Sequence, residues 1–392
     1  MLYFVEDAAR EPARFGALAA LFADLSGAGL MHGEASFDER RFPDACQHVT
    51  TDGRLVASGL VFRARAGRRD SVWLNDAALD CATTPDVVIA IATGDGSTGE
   101  LGARRGLPAR VLRVVSEGAC ARILDSERVV LEARRDRYGR WAASDRRARD
   151  DFPRGPRIAL IGRESDQREQ YPATLAALGD AADALGFAPD VRFIAAQDID
   201  DTNAASLLSG AHGILLPGGA DMSRVSGQIA AARFGWLASI PVAGLCLGMQ
   251  SMATAIARLA LKSDDIGLME AQPDARIASF MPIGTDADGV LLHRLGEQPV
   301  FSVAGSRIES LIGARATIRC NHRYRLNPEL EAPLAGLGVS VTACDESGTI
   351  ADAIEAESHP FFVGMQGHPE LSSRDGEPHP AMSAFLEAAA RR

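Results

Sequence analysis

The stretch PVAGLCLGMQSMATAIARLA, residues 241–260, decides the fold prediction for this chain. Its apolar beginning predicts the end of a short buried strand, and 249–259 has the spacing of an amphipathic helix. Cys246 therefore lies on the tight turn between them, where the positive end of the helix favours a thiolate. A structural cysteine is the usual alternative. Glycines two residues away on either side fit a strained turn, so we predict a nucleophile elbow.

The sequence around this elbow alternates between strand and helix patterns. The predicted elements are strands at 158–162, 191–195 and 213–217 and helices at 171–185, 205–208 and 226–238. Strands separated by helices indicate an α/β fold with a mostly parallel sheet that is covered by helices on both faces. Sites in such folds lie at the carboxyl ends of the strands, and Cys246 is at one of these ends.

Two further motifs follow predicted strands. Residues 217–220, Pro-Gly-Gly-Ala, come after the strand 213–217, and their N–H groups could form an oxyanion hole with the N–H of Leu247. Near the C-terminus, an apolar strand ends in His368-Pro-Glu370. Proline fixes the backbone between the two side chains, so a hydrogen bond between them is expected. A thiol nucleophile needs a base and a group that orients it, so we predict a Cys-His-Glu triad.

These motifs, Gly-Leu-Cys-Leu-Gly-Met-Gln with a distal Gln-Gly-His-Pro-Glu and an upstream Pro-Gly-Gly, resemble those of class I (triad) glutamine amidotransferases. More narrowly, 157–392 is similar to the glutaminase domain of the CTP synthase family, on the segments 213–219, 240–250, 322–328 and 359–370. The resemblance implies a flavodoxin-like sheet and hydrolysis of L-glutamine to glutamate and ammonia through a cysteinyl thioester.

The resemblance also implies a role for individual residues. Cys246 would attack the carboxamide, His368 would move the proton and Glu370 would orient the histidine. N–H groups of Gly219 and Leu247 would hold the oxyanion. The residues that would bind glutamine are Gln250 and Glu270, at its ammonium, and Arg323, at its carboxylate.

Three positions depart from the family pattern. Ala220 replaces an aromatic residue, which would open the glutamine pocket and could admit another γ-glutamyl compound. Gly367 stands where the family usually has phenylalanine, and Arg325 stands where it commonly has an acid. The three triad residues are unaltered.

Residues 1–133 predict a smaller α/β domain, with strands at 2–5, 55–62 and 70–74 and a helix at 12–25. In 85–106 a strand, a glycine-rich turn and a helix resemble nucleoside deoxyribosyltransferase-like nucleotide-binding families, with a possible ligand site at Asp95, Thr98 and Glu100. The resemblance implies that Glu100 meets the sugar, although a purely structural turn is the alternative. The charged run 134–156 predicts a linker, or else a solvated helix face, before the domain 157–392.

Composition narrows the classes of function. With a net charge of -11 and a pI near 5.3, the chain lacks the basic balance of nucleic-acid binding. No apolar run approaches the roughly 20 residues of a membrane helix, and no signal-peptide pattern is present. The six scattered cysteines contain no C-x-x-C pair, which argues against a zinc site or a disulfide framework. We therefore expect a cytoplasmic protein without cofactor or metal.

One lysine, Lys262, is present, and no P-loop motif precedes it, so a Walker-type ATP site is not expected. CTP formation by this chain alone is therefore doubtful. We expect a glutamine amidotransferase whose ammonia goes to a nucleotide-like or other small acceptor, on the N-terminal domain or on a partner synthetase. A homo-oligomer is possible. The alternatives are a γ-glutamyl hydrolase acting on a small conjugate and a non-catalytic nucleotide-sensing protein.

Overall fold

The computed structural model describes residues 1–32, 35–47, 72–73, 86–94, 106, 108–144 and 152–392. The chain divides into two units, Met1–Asp150 with Ser165–Ala176 and Asp151–Glu164 with Ala177–Arg392. Among the described helices, none is both long and apolar enough to cross a membrane.

The first unit is built on one mixed sheet. Its described elements are β1 (Leu2–Asp7), α1 (Ala17–Ser26), β2 (Gly29–His32), β3 (Val72–Trp73), β4 (Val87–Ala92), β5 (Ala109–Glu117), β6 (Cys120–Asp125), β7 (Arg128–Arg135) and β8 (Trp141–Ala143). The strand order is β3-β2-β4-β1-β5-β6-β7-β8, parallel from β3 to β5 and antiparallel beyond. Val5, Leu18 and Val88 are buried together between the sheet and α1 because apolar residues recur on facing sides of these elements.

Of the predicted linker 134–156, the described residues 134–143 differ from the prediction, and 145–151 lie outside the described residues. Arg134 and Arg135 end β7, and Trp141 begins β8, which pairs with β7. Trp141 and Tyr138 are buried, whereas the arginines obscure the strand pattern in the sequence. Nη2 of Arg135 lies 2.8 Å from Oε1 of Glu169, so a charge that suggested a solvated segment is paired inside the unit. Of the N-terminal strand predictions, 55–62 and most of 70–74 lie outside the described residues.

The second unit contains the predicted α/β alternation. Its strands are β9 (Arg154–Ile161), β10 (Ala188–Ile194), β11 (Gly213–Leu216), β12 (Val242–Leu245), β13 (Ile266–Leu268), β14 (Ile277–Pro282), β15 (Arg294–Ser302), β16 (Arg315–His322), β17 (Tyr324–Leu326), β18 (Val339–Cys344), β19 (Ala351–Ala356) and β20 (Phe362–Met365). Its helices are α2 (Ala173–Leu185, which begins in the first unit), α3 (Ala204–Leu207), α4 (Val225–Leu237), α5 (Leu247–Leu261), α6 (Arg307–Ile312), α7 (Glu331–Gly336) and α8 (Pro380–Ala390). The strands and helices predicted before the elbow lie within one to four residues of these bounds.

The main sheet of this unit has the order β10-β9-β11-β12-β20-β19-β18-β15-β16 among the described strands. It is parallel from β10 to β20 and antiparallel from β20 to β16, so it is less uniformly parallel than the alternation predicts. A small second sheet has the order β13-β14-β17. The central parallel strands β11, β12 and β20 are continuous apolar runs because both of their faces are buried. The carboxyl ends of β11, β12 and β20 lie side by side, which brings the three predicted motifs to one edge.

Candidate active site

Cys246 occupies the sharp turn between β12 and α5. Its backbone has φ 49° and ψ -106°, which a residue with a side chain rarely adopts, and it caps the N-terminus of α5. The N–H of Cys246 donates to the carbonyl oxygen of Met365 at 2.8 Å, which ties the turn to the end of β20. The strained backbone is therefore held by the neighbouring strand, and the thiol stands at the positive end of a 15-residue helix.

The glycine at 248 is required by a close backbone approach. A Cβ placed on Gly248 would lie 2.2 Å from the carbonyl oxygen of Leu216. Because that atom belongs to the backbone of β11, no rotamer change could relieve the clash. The first turn of α5 can pack against β11 only if this position lacks a side chain.

His368 and Glu370 follow β20 and face each other. Nδ1 of His368 lies 2.8 Å from Oε1 of Glu370, and both side chains are almost completely buried. The N–H of His368 donates to the carbonyl oxygen of Arg319 at 2.8 Å, which fixes the backbone against β16. A carboxylate at this position holds the imidazole with Nε2 directed away from Glu370.

The cysteine and the histidine meet beside Gly218. A Cβ placed there would lie 3.2 Å from Cε1 of His368 and 3.4 Å from Cβ of Cys246. Burial by itself lowers the pKa of His368, but the charges of Glu370 and Cys246 and hydrogen bonds to both raise it above its ordinary value. The charge of Glu370 therefore favours an imidazolium beside the sulfur of Cys246, and a cysteine nucleophile reacts as the thiolate.

Gln366, for which no role is predicted from the sequence, contacts the nucleophile. Its Nε2 lies 3.7 Å from Sγ of Cys246, and the side chain is fully buried. Nε2 of Gln250 lies 3.4 Å from Oε1 of Gln366. The Gln250 amide therefore contacts the Gln366 amide, which in turn contacts the sulfur. The only signal in the sequence was the place of Gln366 at the end of an apolar strand, two residues before His368.

The predicted glutamine-binding charges lie beyond the ends of the small-sheet strands. Glu270 follows β13, and Arg323 lies between β16 and β17. Partial burial raises the pKa of Glu270, and the charge of Arg323 opposes that rise. The pKa of Tyr324 is raised by burial and then by Glu270. Glu270 and Arg323 therefore present opposite charges within electrostatic range of each other. Gln250, in contrast, is buried and turned toward Gln366.

The main-chain groups expected at the oxyanion lie at neighbouring strand ends. Gly219 comes after β11 and Leu247 begins α5 directly after β12, and these two strands are paired. Both N–H groups therefore belong to the sheet edge that carries Cys246. Asp95, Thr98 and Glu100 of the N-terminal ligand prediction lie outside the described residues.

The structure explains the departures from the family pattern at Gly367 and Arg325. Ala220, the third departure, is half-buried. A Cβ on Gly367 would lie 2.4 Å from Cγ2 of Ile318 and 3.1 Å from the carbonyl oxygen of Arg319. The space for a larger residue is thus filled by β16. Nη1 of Arg325 donates to the carbonyl oxygen of Thr349 at 3.1 Å, so this guanidinium binds a backbone oxygen of the same chain.

Comparisons with known proteins agree with this architecture. The sequence model for the family described as glutamine amidotransferase class-I matches residues 181–388, more than half of the chain. Among curated proteins, CTP synthase from Chloroflexus aurantiacus is 34% identical over 271 residues, 68% of this chain and 49% of that protein. CTP synthase from Chloroflexus aggregans is 35% identical over 257 residues, 64% of this chain and 46% of that protein.

One solved structure also resembles the second unit's fold and supports the relation to glutamine amidotransferases. The glutaminase domain of CTPS from Trypanosoma brucei, with bound acivicin, has a TM-score of 0.56 and 27% identity to this chain. The match covers 60% of this chain and 94% of that domain. This chain spans about half the length of the curated relatives that it matches.

Proposed function

The chain belongs to the class I glutamine amidotransferases, and from this premise we propose that it releases ammonia from L-glutamine through a thioester on Cys246. The observation that carries the proposal is the junction of the sulfur, the imidazole and the carboxylate at the ends of β12 and β20. The relation to CTP synthase and its glutaminase domain supports the same reaction.

In the proposed reaction, the Cys246 thiolate attacks the side-chain carbonyl carbon of glutamine and forms a C–S bond. The C–N bond then breaks, and His368 gives its proton to the departing nitrogen, which leaves as ammonia. Water next attacks the thioester while His368 accepts a proton from it. Glutamate leaves and Cys246 is regenerated. Glu370 keeps the imidazole in position throughout and stabilises its charged form.

The other site residues would bind the substrate and the charge that develops on it. N–H groups of Gly219 and Leu247 would stabilise the oxyanion, at the positive end of α5. Arg323 would pair with the α-carboxylate, and Glu270 with the α-ammonium group, of a bound glutamine. Gln250 would contact the ammonium group only if its side chain turned away from Gln366. We therefore expect it to contribute less to glutamine binding than Glu270 and Arg323.

We propose a nucleotide-like acceptor for the ammonia, bound on the N-terminal unit or on a partner synthetase. The support is the CTP synthase name of the relatives, of which this chain matches about half. The chain contains no P-loop motif, so we do not assign ATP chemistry to it. The N-terminal ligand site at Asp95, Thr98 and Glu100, the cytoplasmic location and a homo-oligomer are further proposals.

A γ-glutamyl hydrolase is the second candidate, and Ala220 favours it. This small, half-buried residue follows the Pro-Gly-Gly turn at the oxyanion position, where a side chain of this size would leave more room than an aromatic one for a substituent on the γ-amide nitrogen. The chemistry would be unchanged except that an amine leaves in place of ammonia. A purely nucleotide-sensing protein would not need the buried contact between His368 and Glu370.

The deciding experiment is glutamate release from glutamine by the whole protein, alone and with UTP plus ATP. Cys246→Ala should abolish release, whereas Cys120→Ala, which removes an exposed thiol in the other unit, should not. An increase with nucleotide would support a coupled acceptor. Cleavage of γ-glutamyl-p-nitroanilide without cleavage of glutamine would select the hydrolase. A folded protein that cleaves neither would contradict both candidates.

A further inference from the structure

A second group of reactive side chains, outside the triad, is contributed by β16 and β19. Cys320 and His322 occupy alternate positions of β16 and therefore share one face of that strand, and Asp352 belongs to β19. All three are buried, and a possible ligand atom of each lies within 4.8 Å of those of the other two. Among the described residues, this thiol, imidazole and carboxylate are the one group whose atoms lie close enough together to hold a metal ion.

We propose that Cys320, His322 and Asp352 bind a zinc ion. Sulfur, imidazole nitrogen and carboxylate oxygen are the three ligand types that zinc takes, at about 2.3 Å for sulfur and about 2.0–2.2 Å for nitrogen and oxygen. Tetrahedral geometry at those lengths puts ligand atoms roughly 3.3–3.8 Å apart. The ligand atoms lie within 4.8 Å of one another, so they would approach by at most about 1.5 Å to reach this geometry. Three protein ligands leave the fourth position to water or another small ligand.

His322 has the form that a zinc ligand requires. Its Nδ1 lies 2.9 Å from the carbonyl oxygen of Tyr324, and because a carbonyl only accepts, Nδ1 carries the hydrogen. Nε2 therefore keeps a lone pair, and this atom is buried without a hydrogen-bond partner. Donation from the second ring nitrogen to a carbonyl is the usual way a metal-binding histidine is oriented.

The two ligands that can be anionic, Cys320 and Asp352, match the charge of a divalent ion, and Arg294 adds a further positive charge beside them. Arg294 pairs with both oxygens of Asp352, with 3.0 Å between its Nη2 and Oδ2. A carboxylate has further lone pairs, so Arg294 can keep one oxygen while the other faces the metal. Cysteine coordinates zinc as the thiolate, so binding must expel the proton of Cys320. One thiolate and one carboxylate then offset the two charges of the ion, Arg294 leaves a net charge of +1 on the site, and one proton is released per zinc.

The cluster also connects two strands that support the triad. The carbonyl oxygen of Asp352 accepts from the N–H of Gln366 at 2.8 Å, and the carbonyl oxygen of Arg319, next to Cys320, accepts from the N–H of His368. An ion shared by β16 and β19 would therefore crosslink both sides of the 366–368 segment. The sequence argued against a zinc site because its cysteines form no C-x-x-C pair, whereas Asp352 lies thirty residues after His322 on another strand.

The test uses cobalt(II) as a spectroscopic substitute for zinc, with the full-length protein. All variants carry Cys246→Ala, so that the catalytic thiol cannot supply the signal. We expect one cobalt per chain, with a thiolate-to-cobalt charge-transfer band that zinc abolishes. Adding Cys320→Ser should remove the band. Adding Cys344→Ser, which removes a half-buried thiol on β18, should leave it unchanged.

Zinc affinity provides a second readout, measured by competition with a chromophoric chelator. His322→Gln and Asp352→Asn should each weaken binding by more than the 10–100-fold that loss of an outer partner costs. Zinc should raise the unfolding temperature of the parent protein but not that of Cys320→Ser. Circular dichroism checks that each variant is folded, and His322→Gln replaces Cys320→Ser if the latter is not. Absence of the band in the parent, or its survival in both ligand variants, would overturn the proposal. The test needs no glutaminase activity, so it is independent of the proposed function.

Discussion

Nδ1 of His368 lies 2.8 Å from Oε1 of Glu370, and neither side chain is exposed to solvent. The negative charge of Glu370 favours an imidazolium and fixes the ring. Glu370→Gln keeps the size but removes the charge, and its amide can donate to Nδ1 and select the wrong tautomer. We expect kcat for glutamine hydrolysis to fall by about 10²–10⁴-fold, with little change in KM. Steady-state kinetics check this, and a fall of less than tenfold in a folded variant would contradict the role.

The contact between Gln366 and the sulfur predicts an effect on the nucleophile itself. Gln366→Met keeps the length of the side chain but removes the donor 3.7 Å from Sγ of Cys246. A hydrogen bond to a charged group is worth about 1.5 kcal/mol, so the alkylation rate of Cys246 by iodoacetamide at pH 7 should fall about tenfold. Gln250→Met removes only the amide behind Gln366 and should have a smaller effect. Equal rates for Gln366→Met and the parent would exclude the contact.

The part of this site that the sequence predicts is local. Cys246 could be placed because the glycines around it are close in sequence, and His368 with Glu370 because one proline separates them. Gln366 was missed because its contact with Cys246 spans 120 residues and has no local pattern. Trp141 was missed as part of a strand because the neighbouring arginines suggested solvent. Glu169, the partner of Arg135, lies 34 residues away in the sequence, a separation that no local pattern reveals.

The charge of Arg323 predicts a binding defect rather than a chemical one. A charge-assisted hydrogen bond to the substrate carboxylate is worth about 1.5–3 kcal/mol, so Arg323→Gln should raise KM for glutamine about 10–100-fold. The kcat should change by no more than a few fold. Arg325→Gln is the matched control, because Arg325 donates to Thr349 instead. A loss in kcat with an unchanged KM would place Arg323 outside the substrate contacts.

The contact of β16 with Gly367 predicts a loss of stability in a variant with a larger residue at this position. In Gly367→Ala the new Cβ would meet Cγ2 of Ile318 at 2.4 Å and a backbone oxygen at 3.1 Å. Overpacking of this kind costs about 1–3 kcal/mol of unfolding free energy. Gly336→Ala, where the new Cβ would meet nothing within 4 Å, is the control and should be near neutral. Urea denaturation measures both variants, and addition of Ile318→Ala should recover part of the loss in a double-mutant cycle.

Acid sensitivity follows from the buried His379. Burial lowers its pKa to about 4, below the value of about 6.5 in the unfolded chain. The unfolded state therefore binds the proton more tightly, so this contribution to stability is complete above pH 6.5 and is lost as the pH falls toward 4. The difference between the two pKa values corresponds to on the order of 3 kcal/mol. Nδ1 of His379 also caps α8 by accepting from the N–H of Ala381 at 3.2 Å.

His379→Asn separates the two properties of this residue, because asparagine keeps a cap acceptor but does not titrate. The free energy of unfolding of the parent, measured in urea between pH 7 and pH 4, should fall more steeply than that of the variant. The buried His322 remains in both proteins, so its own titration cancels in the difference. Parallel curves over this interval would mean that His379 takes up its proton equally in the folded and unfolded chains.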